Sequence, residues 1–173
     1  IFLTASGGPF LNKLPKQIKN AKISEALKHP NWKMGKKISI DSATMMNKVF
    51  EVIEAQRIFN IELKKFKILV HPDSYVHSII KFNNGITKIL VHDTNMKIPI
   101  FNTLYQNDIK KFKSEKLDIQ KLNNLDFRKI DKKKFPSINI LKNVSKKISL
   151  YETVIVTAND LLVQFFLDGK IKF

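Results

Sequence analysis

The run Asp41-Ser42-Ala43-Thr44-Met45-Met46-Asn47-Lys48-Val49-Phe50-Glu51, continued to Phe59, constrains the fold of this chain more than any other stretch. Met45, Val49, Val52, Ile53 and Phe59 recur at three- and four-residue steps, which predicts one buried helical face over residues 41–59. Asp41 or Ser42 can cap the start of that helix, because either side chain can accept from the free amides of a first turn. Asn47 and Lys48 precede Glu51 by four and three positions, so all three side chains are neighbours on the helix surface. Glu54 extends the polar ridge by a turn. A helix N-terminus carries partial positive charge and unpaired N–H groups, which suits a phosphate. Lys48 adds a full charge there, and the hydroxyls of Ser42 and Thr44 add donors. Glu51 can reach a hard cation such as Mg²⁺ or Mn²⁺. The plainer alternative is a capped helix carrying a surface ion pair worth about 0.3–0.5 kcal/mol.

The flanking pattern predicts a mixed α+β architecture, a mixed sheet with packed helices. Residues 1–10 read as a strand entering a glycine-rich turn. Residues 17–28 read as a basic helix ending before His29-Pro30, since proline disfavours the helical conformation of its predecessor. Residues 29–37 read as a polar loop. Phe66 to Val70 is a strand by its β-branched and apolar content. Tyr75 to Phe82 and Ile86 to Val91 flank Asn83-Asn84-Gly85, a hairpin signal. Residues 106–134 are rich in Lys and Asn and read as a connecting segment. Residues 147–168 read as helical, with Leu161, Leu162, Phe165 and Phe166 on an apolar stripe. The expected division is 1–105 for a central unit, 106–134 for the connection and 135–173 for part of a helical unit.

Composition narrows the function. The chain has 173 residues, room for one domain with a real core. It does not begin with Met, and its first apolar run is too short for a signal peptide or a membrane span, so it reads as an internal fragment. The lack of cysteine excludes disulfides and thiolate metal sites. The net charge of +16 invites a nucleic-acid reading, but Arg57 and Arg128 are the only arginines. Arginine forks are what phosphate and base recognition favours. The excess of Lys, Ile, Asn and Phe is what an A+T-rich coding sequence imposes. No nucleic-acid or membrane partner is expected, and the positive field favours anionic small molecules.

Several strings, in one order, resemble the 1-deoxy-D-xylulose 5-phosphate reductoisomerase family. They are Ser6-Gly7-Gly8-Pro9-Phe10, His29-Pro30-Asn31-Trp32, Met34-Gly35, Asp41 to Lys48 with Glu51, His71-Pro72, His77-Ser78, and Met96 with Pro99-Ile100. Leu125-Asp126-Phe127, Phe135-Pro136 and Ala158-Asn159 follow more weakly, so the match is dense over residues 1–100 and patchy beyond.

The resemblance implies an enzyme that rearranges 1-deoxy-D-xylulose 5-phosphate by retro-aldol and aldol steps. It then reduces the product with NADPH to 2-C-methyl-D-erythritol 4-phosphate, in non-mevalonate isoprenoid synthesis. It implies that Ser6, His29, Ser42, Asn47 and Lys48 hold the substrate phosphate and that Ser74 reaches a substrate hydroxyl. Trp32 would belong to a flap over the site, and Met34, Gly35 and Met96 would lie on the cofactor side. Glu51 would bind Mg²⁺ or Mn²⁺, and Lys48 and Glu51 would be the catalytic pair. His77 matches a histidine of the family's site, although a strand histidine is usually structural; His92 matches nothing and is assigned no role. The resemblance also implies a homodimer and a preceding Rossmann-type domain that carries the nucleotide site and further metal ligands. An isolated chain of these residues is therefore expected to be inactive. A bacterial cytoplasm is expected, with a plastid-like organelle as the alternative.

Departures from the family pattern are Val49 for glycine, Asp73 for glutamine, Asn95 for aspartate, Asp160 for glutamate, and Tyr105 to Lys110 for a tryptophan–proline–arginine segment. Two alternatives stand beside this reading: a non-catalytic binding protein descended from the family, and another NADPH-linked phosphosugar enzyme.

Overall fold

The computed structural model describes residues 1–105 and 111–173. The substituted segment from Tyr105 to Lys110 lies, apart from its first residue, outside the described residues. Among the described residues, five strands form one mixed sheet: β1 (Phe2–Ala5), β2 (Lys67–Val70), β3 (Val76–Lys81), β4 (Thr87–Val91) and β5 (Arg128–Lys129), in the order β4-β3-β1-β2-β5. β1 and β2 run parallel in the register Phe2↔Lys67 to Ala5↔Val70, and the other pairings are antiparallel. The predicted hairpin is present, with Gly85 at φ 88° in its turn, a value glycine adopts without a Cβ clash.

The helices are α1 (Pro15–Lys19), α2 (Ile23–Ala26), α3 (Lys36–Thr44), α4 (Met46–Phe59), α5 (Lys97–Leu104), α6 (Ile119–Asn123) and α7 (Tyr151–Leu167). The basic helix expected over 17–28 is two short ones. A 3₁₀ segment, Pro136–Asn143, precedes α7. Within the expected connecting segment, α6 and β5 form, and β5 extends the sheet.

The single helix expected over 41–59 is two helices that meet at Met45, which has φ 64° and ψ 8°. The cause is local. The Thr44 hydroxyl donates to the Ile40 carbonyl at 3.0 Å and also approaches the Asp41 carbonyl and the Met46 amide. A hydroxyl competing for backbone partners weakens continuation of a helix. Asp41 and Ser42 therefore cap nothing: both lie in the last turns of α3, and the residue preceding its first turn is Gly35. Asp41 is buried instead, with Lys37 Nζ on Oδ2 at 2.7 Å and Asn159 Nδ2 on Oδ1 at 2.8 Å.

Among the described residues, two apolar clusters fill the interior. In the larger, α4 lays Met46, Val49, Val52 and Ile53 against Ala5, Ile68 and Val70 of the sheet, with Phe135, Ile138, Val144 and Ile155 closing the far side. Four of the five residues expected on the buried face of 41–59 are in it. Phe59 is not: it is 66% exposed, at the end of α4 where Asn60 turns left-handed. Val49 is fully buried, so a side chain at this position is used as core. The second cluster joins Phe10, Ile18, Ala26, Ile40 and Ala43 to Val163 and Phe166 of α7.

The stripe expected on α7 needs correction. Ile155, Asn159, Val163 and Phe166 form the buried face, while Leu161 and Leu162 are each 54% exposed and Phe165 is exposed as well. The helix is apolar almost all round, so hydrophobicity alone does not set its rotation. The Asn159–Asp41 bond and the packing of Phe166 on Phe173 set it. No helix among the described residues is long and apolar enough to cross a membrane.

Candidate functional site

Parallel β1 and β2 end side by side at Ala5 and Val70, and the His71 amide donates to the Ala5 carbonyl at 2.7 Å. Ser6-Gly7-Gly8 and His71-Pro72-Asp73-Ser74 thus leave the same edge of the sheet. The carboxyl ends of parallel strands are where such sheets place ligands.

Gly7 and Gly8 take φ values of 90° and 62°. At Gly8 the backbone also comes close: a Cβ there would stand 2.9 Å from the Ser42 carbonyl oxygen. The absence of a side chain is what lets the turn rest on the end of α3. The Gly8 amide donates to Ser6 Oγ at 3.1 Å, and Ser6 Oγ is 3.1 Å from His29 Nε2. His29 Nδ1 accepts from the amides of Asn31 and Trp32 at 3.1 and 3.0 Å. An atom that accepts two amides carries no hydrogen, so the Nε2 of His29 is its donor. Burial holds this imidazole below its ordinary pKa, consistent with a neutral ring.

The same loop reaches β3. Asn31 Nδ2 donates to the Pro72 carbonyl at 2.6 Å and to Ser74 Oγ at 2.9 Å. Ser74 is buried with φ 54°, a left-handed conformation that costs a non-glycine residue energy and recurs at functional sites. Trp32 meets His77 edge-on at 6.5 Å between ring centroids. On α4, Glu51 accepts from Asn47 Nδ2 at 2.9 Å and from Lys48 Nζ at 2.6 Å, the neighbour pairs expected from spacing. Burial first, with the Lys48 charge among the lesser causes, pulls the His77 pKa down to about 4. His77 and Lys48 thus lie within electrostatic reach of each other.

The expected phosphate-side residues fall into two connected groups. Ser6 and His29 are bonded to each other and, through Gly8, rest on Ser42. Asn47 and Lys48 are joined through Glu51 on the next helix. Ser74 and Trp32 border the first group through Asn31 and His77. Met34 and Gly35 end the loop, where the Gly35 carbonyl accepts from Ser39. Met96 stands 56% exposed before α5. Among the described residues no three His, Asp or Glu side chains converge, so Glu51 by itself does not complete a cation site.

Sequence reasoning missed two participants. Asn31, which ties the loop to Ser74, was legible only as a letter inside a matching string. His92 had no signal at all. A bulge between Val76 and Ser78 leaves His77 opposite no partner in β4, and this brings it onto His92, the residue after that strand. Bulges of this kind re-aim side chains beside active sites.

The family model described as the 1-deoxy-D-xylulose 5-phosphate reductoisomerase C-terminal domain matches residues 1–59, and one described as the DXP reductoisomerase C-terminal domain matches residues 92–173. The 1-deoxy-D-xylulose 5-phosphate reductoisomerase of Pelagibacter ubique is 62% identical over 173 residues, which is all of this chain and 45% of that protein. That of Sulfurihydrogenibium sp. is 42% identical, again over the whole chain and 46% of the relative. Among solved structures, the reductoisomerase from Zymomonas mobilis in complex with NADPH superposes with a TM-score of 0.88 at 38% identity, covering 99% of this chain and 44% of that one. A DOX-P reductoisomerase in complex with NADPH, fosmidomycin and magnesium gives 0.86 at 38% identity, with 99% and 42% covered. The chain spans somewhat less than half the length of these relatives.

Proposed function

The chain belongs to the 1-deoxy-D-xylulose 5-phosphate reductoisomerase family, and from that premise we propose that it supplies the phosphosugar-binding part of such an enzyme. The observation that carries the reading is the seating of the Ser6–His29 pair, through Gly8, on the carbonyl of Ser42. That contact joins the turn after β1 to the junction of α3 and α4, whose far side bears Asn47 and Lys48.

In this reading Ser6, His29, Ser42, Asn47 and Lys48 hold the phosphate. A neutral His29 donates from Nε2, and this hydrogen bond switches its acceptor from Ser6 Oγ to a phosphate oxygen when the anion enters, the hydrogen staying on Nε2. Each hydrogen bond to a charged group is worth about 1.5–3 kcal/mol, so several together fix the sugar's position for reaction. Ser74 binds a substrate hydroxyl. Trp32 closes with its loop and excludes water. Lys48 faces the developing oxyanion. Met34, Gly35 and Met96 border the nicotinamide side.

NADPH, when bound, supplies the hydride. A divalent cation, Mg²⁺ or Mn²⁺, would polarise substrate oxygens when bound, with Glu51 as one of its ligands. One carboxylate is fewer than such a cation needs with its waters and substrate. These 173 residues alone are therefore expected not to turn over. The division into 1–105, 106–134 and 135–173 is kept as part of the proposal. So is a homodimer, which the exposed Ile86, Ile89 and Leu90 along edge strand β4 support. A bacterial cytoplasm, no nucleic acid and no membrane complete the reading.

The test is NADPH oxidation with 1-deoxy-D-xylulose 5-phosphate and Mn²⁺, in a polypeptide of the relatives' length that contains these residues. Substrate-dependent oxidation is expected, with loss of at least a hundredfold in kcat for Glu51→Gln. No oxidation in the unsubstituted protein would sink the enzyme reading. Equal rates for the two proteins would sink the assignment of Glu51 alone.

A further inference from the structure

His77 and His92 stack face to face, with ring centroids 3.6 Å apart and planes inclined by 11°. The contact is held twice over. His77 Nε2 lies 3.1 Å from the His92 carbonyl oxygen, and His92 Nδ1 lies 2.7 Å from the Asp93 carbonyl oxygen. A carbonyl can only accept, so each of these nitrogens carries its hydrogen. The arrangement fixes one tautomer for each ring: His77 protonated on Nε2 with Nδ1 free to accept, and His92 protonated on Nδ1. His77 in turn meets Trp32 in an edge-to-face contact, 6.5 Å between ring centroids. Three rings are therefore linked in a row of contacts from the end of β4 to the loop that follows His29.

We propose that His92 is a positioning residue: stacked on one side of His77 and bonded through its own carbonyl to His77 Nε2, it holds that ring in a single tautomer and orientation as the backstop against which Trp32 rests. His77 needs such support because it is the extra residue of the bulge, with no opposite partner in β4 to orient it. Any residue at position 92 offers that carbonyl, but the covering flat ring is what keeps His77 turned so that its Nε2 meets it. The stack also shields one side of His77 from water, in keeping with the burial that disfavours its charged form. The charged and titratable groups acting on His77 from neighbouring elements are Lys48 on α4, His71 after β2 and His92 itself.

The consequence for turnover rests on the reading of the Trp32 loop as a lid; the ring contact itself does not. The two are separated by testing the contact first, without substrate. Trp32 is the single tryptophan of the chain, so its emission reports on this row. In the unsubstituted chain, nuclear Overhauser contacts between the His77 and His92 rings and an Nε2–H tautomer of His77 in ¹⁵N spectra are expected. His92→Gly is expected to shift the Trp32 emission and raise its accessibility to acrylamide at least twofold, and to leave His77 in mixed tautomers. His92→Phe, which restores a flat ring without a titratable nitrogen, is expected to return all three readouts to the original values.

Absence of the ring-to-ring contacts in the unsubstituted chain would overturn the proposal whether or not any variant folds. So would unchanged Trp32 emission and His77 tautomer in a folded His92→Gly chain. In the active protein, His92→Gly is expected to raise KM for the phosphosugar severalfold with kcat changed less than twofold. Unaltered KM alongside a disturbed Trp32 would count against the lid and leave the ring contact standing.

Discussion

Asn159 donates from Nδ2 to Oδ1 of Asp41 at 2.8 Å, and both residues are buried although 118 positions separate them in the chain. Lys37 holds the second oxygen of Asp41 and also pairs with Asp160 at 3.1 Å. One carboxylate thus fastens α7 to α3, the helix that ends beside the candidate phosphate site. Asp160, a departure from the family pattern, still meets a lysine here.

Asn159→Ala removes one partner of a buried carboxylate, and leaving such a group short of a partner costs about 1–3 kcal/mol. Urea unfolding is expected to show a loss in that range. Asn159→Asp, which sets a second carboxylate against the first, is expected to lose more. Equal stability of Asn159→Ala and the unsubstituted chain would show that the bond does not fasten the helices.

Gly8→Ala puts a methyl group against the Ser42 carbonyl at a φ of 62°. Strain at such a position is of the order of 1–3 kcal/mol. The expected result is a lower melting temperature, together with weaker retention of inorganic phosphate as the turn lifts from α3. A variant with unchanged phosphate affinity would separate the turn from the anion site.

Lys48→Met keeps the length of the side chain and removes its charge. Loss of one charged hydrogen bond, at about 1.5–3 kcal/mol, corresponds to roughly a tenfold to hundredfold weaker hold on the phosphosugar. Substrate titration of the active protein measures this directly. An affinity within twofold of the original would remove Lys48 from the phosphate group.

Acidification should weaken the fold in a defined window. Burial lowers the pKa of His77 from 6.5 to about 4 and that of His29 in the same direction. Below 6.5 the unfolded chain therefore binds protons that the folded chain does not. Stability rises with pH wherever the unfolded state holds more protons. The contribution is fully present above pH 6.5 and declines as the pH falls toward about 4. Denaturant midpoints measured between those values should fall with pH, and His77→Gln should flatten the slope.

The sheet was largely legible, because β2 and the β3–β4 hairpin are short apolar runs bounded by polar turns. The neighbour pairs of Asn47 and Lys48 with Glu51 were legible too, since they depend on spacing within one helix. The break at Met45 was not: it depends on where the Thr44 hydroxyl sends its hydrogen, and the apolar spacing runs through it undisturbed. The rotation of α7 was hidden for a related reason. A helix apolar on most sides takes its buried face from a few specific contacts, and Asn159 finds its partner more than a hundred positions away. The contact of Gly8 with Ser42 lies equally beyond a reading by spacing, as does the pairing of His77 with His92.

The left-handed residue at Met45 also resolves a problem of angular phase. In an unbroken α-helix, with about 3.6 residues per turn, Ser42 and Asn47 would point roughly 140° apart and Ser42 and Lys48 roughly 120° apart. No single anion could sit on such diverging directions. One residue outside the helical torsions uncouples the two rotations, so α3 and α4 can each be aimed independently. A short stretch of sequence can then offer groups from two helix ends to one ligand. Returning Met45 to helical torsions would merge the helices into one rod and restore that divergence, while leaving every polar residue of the stretch in place.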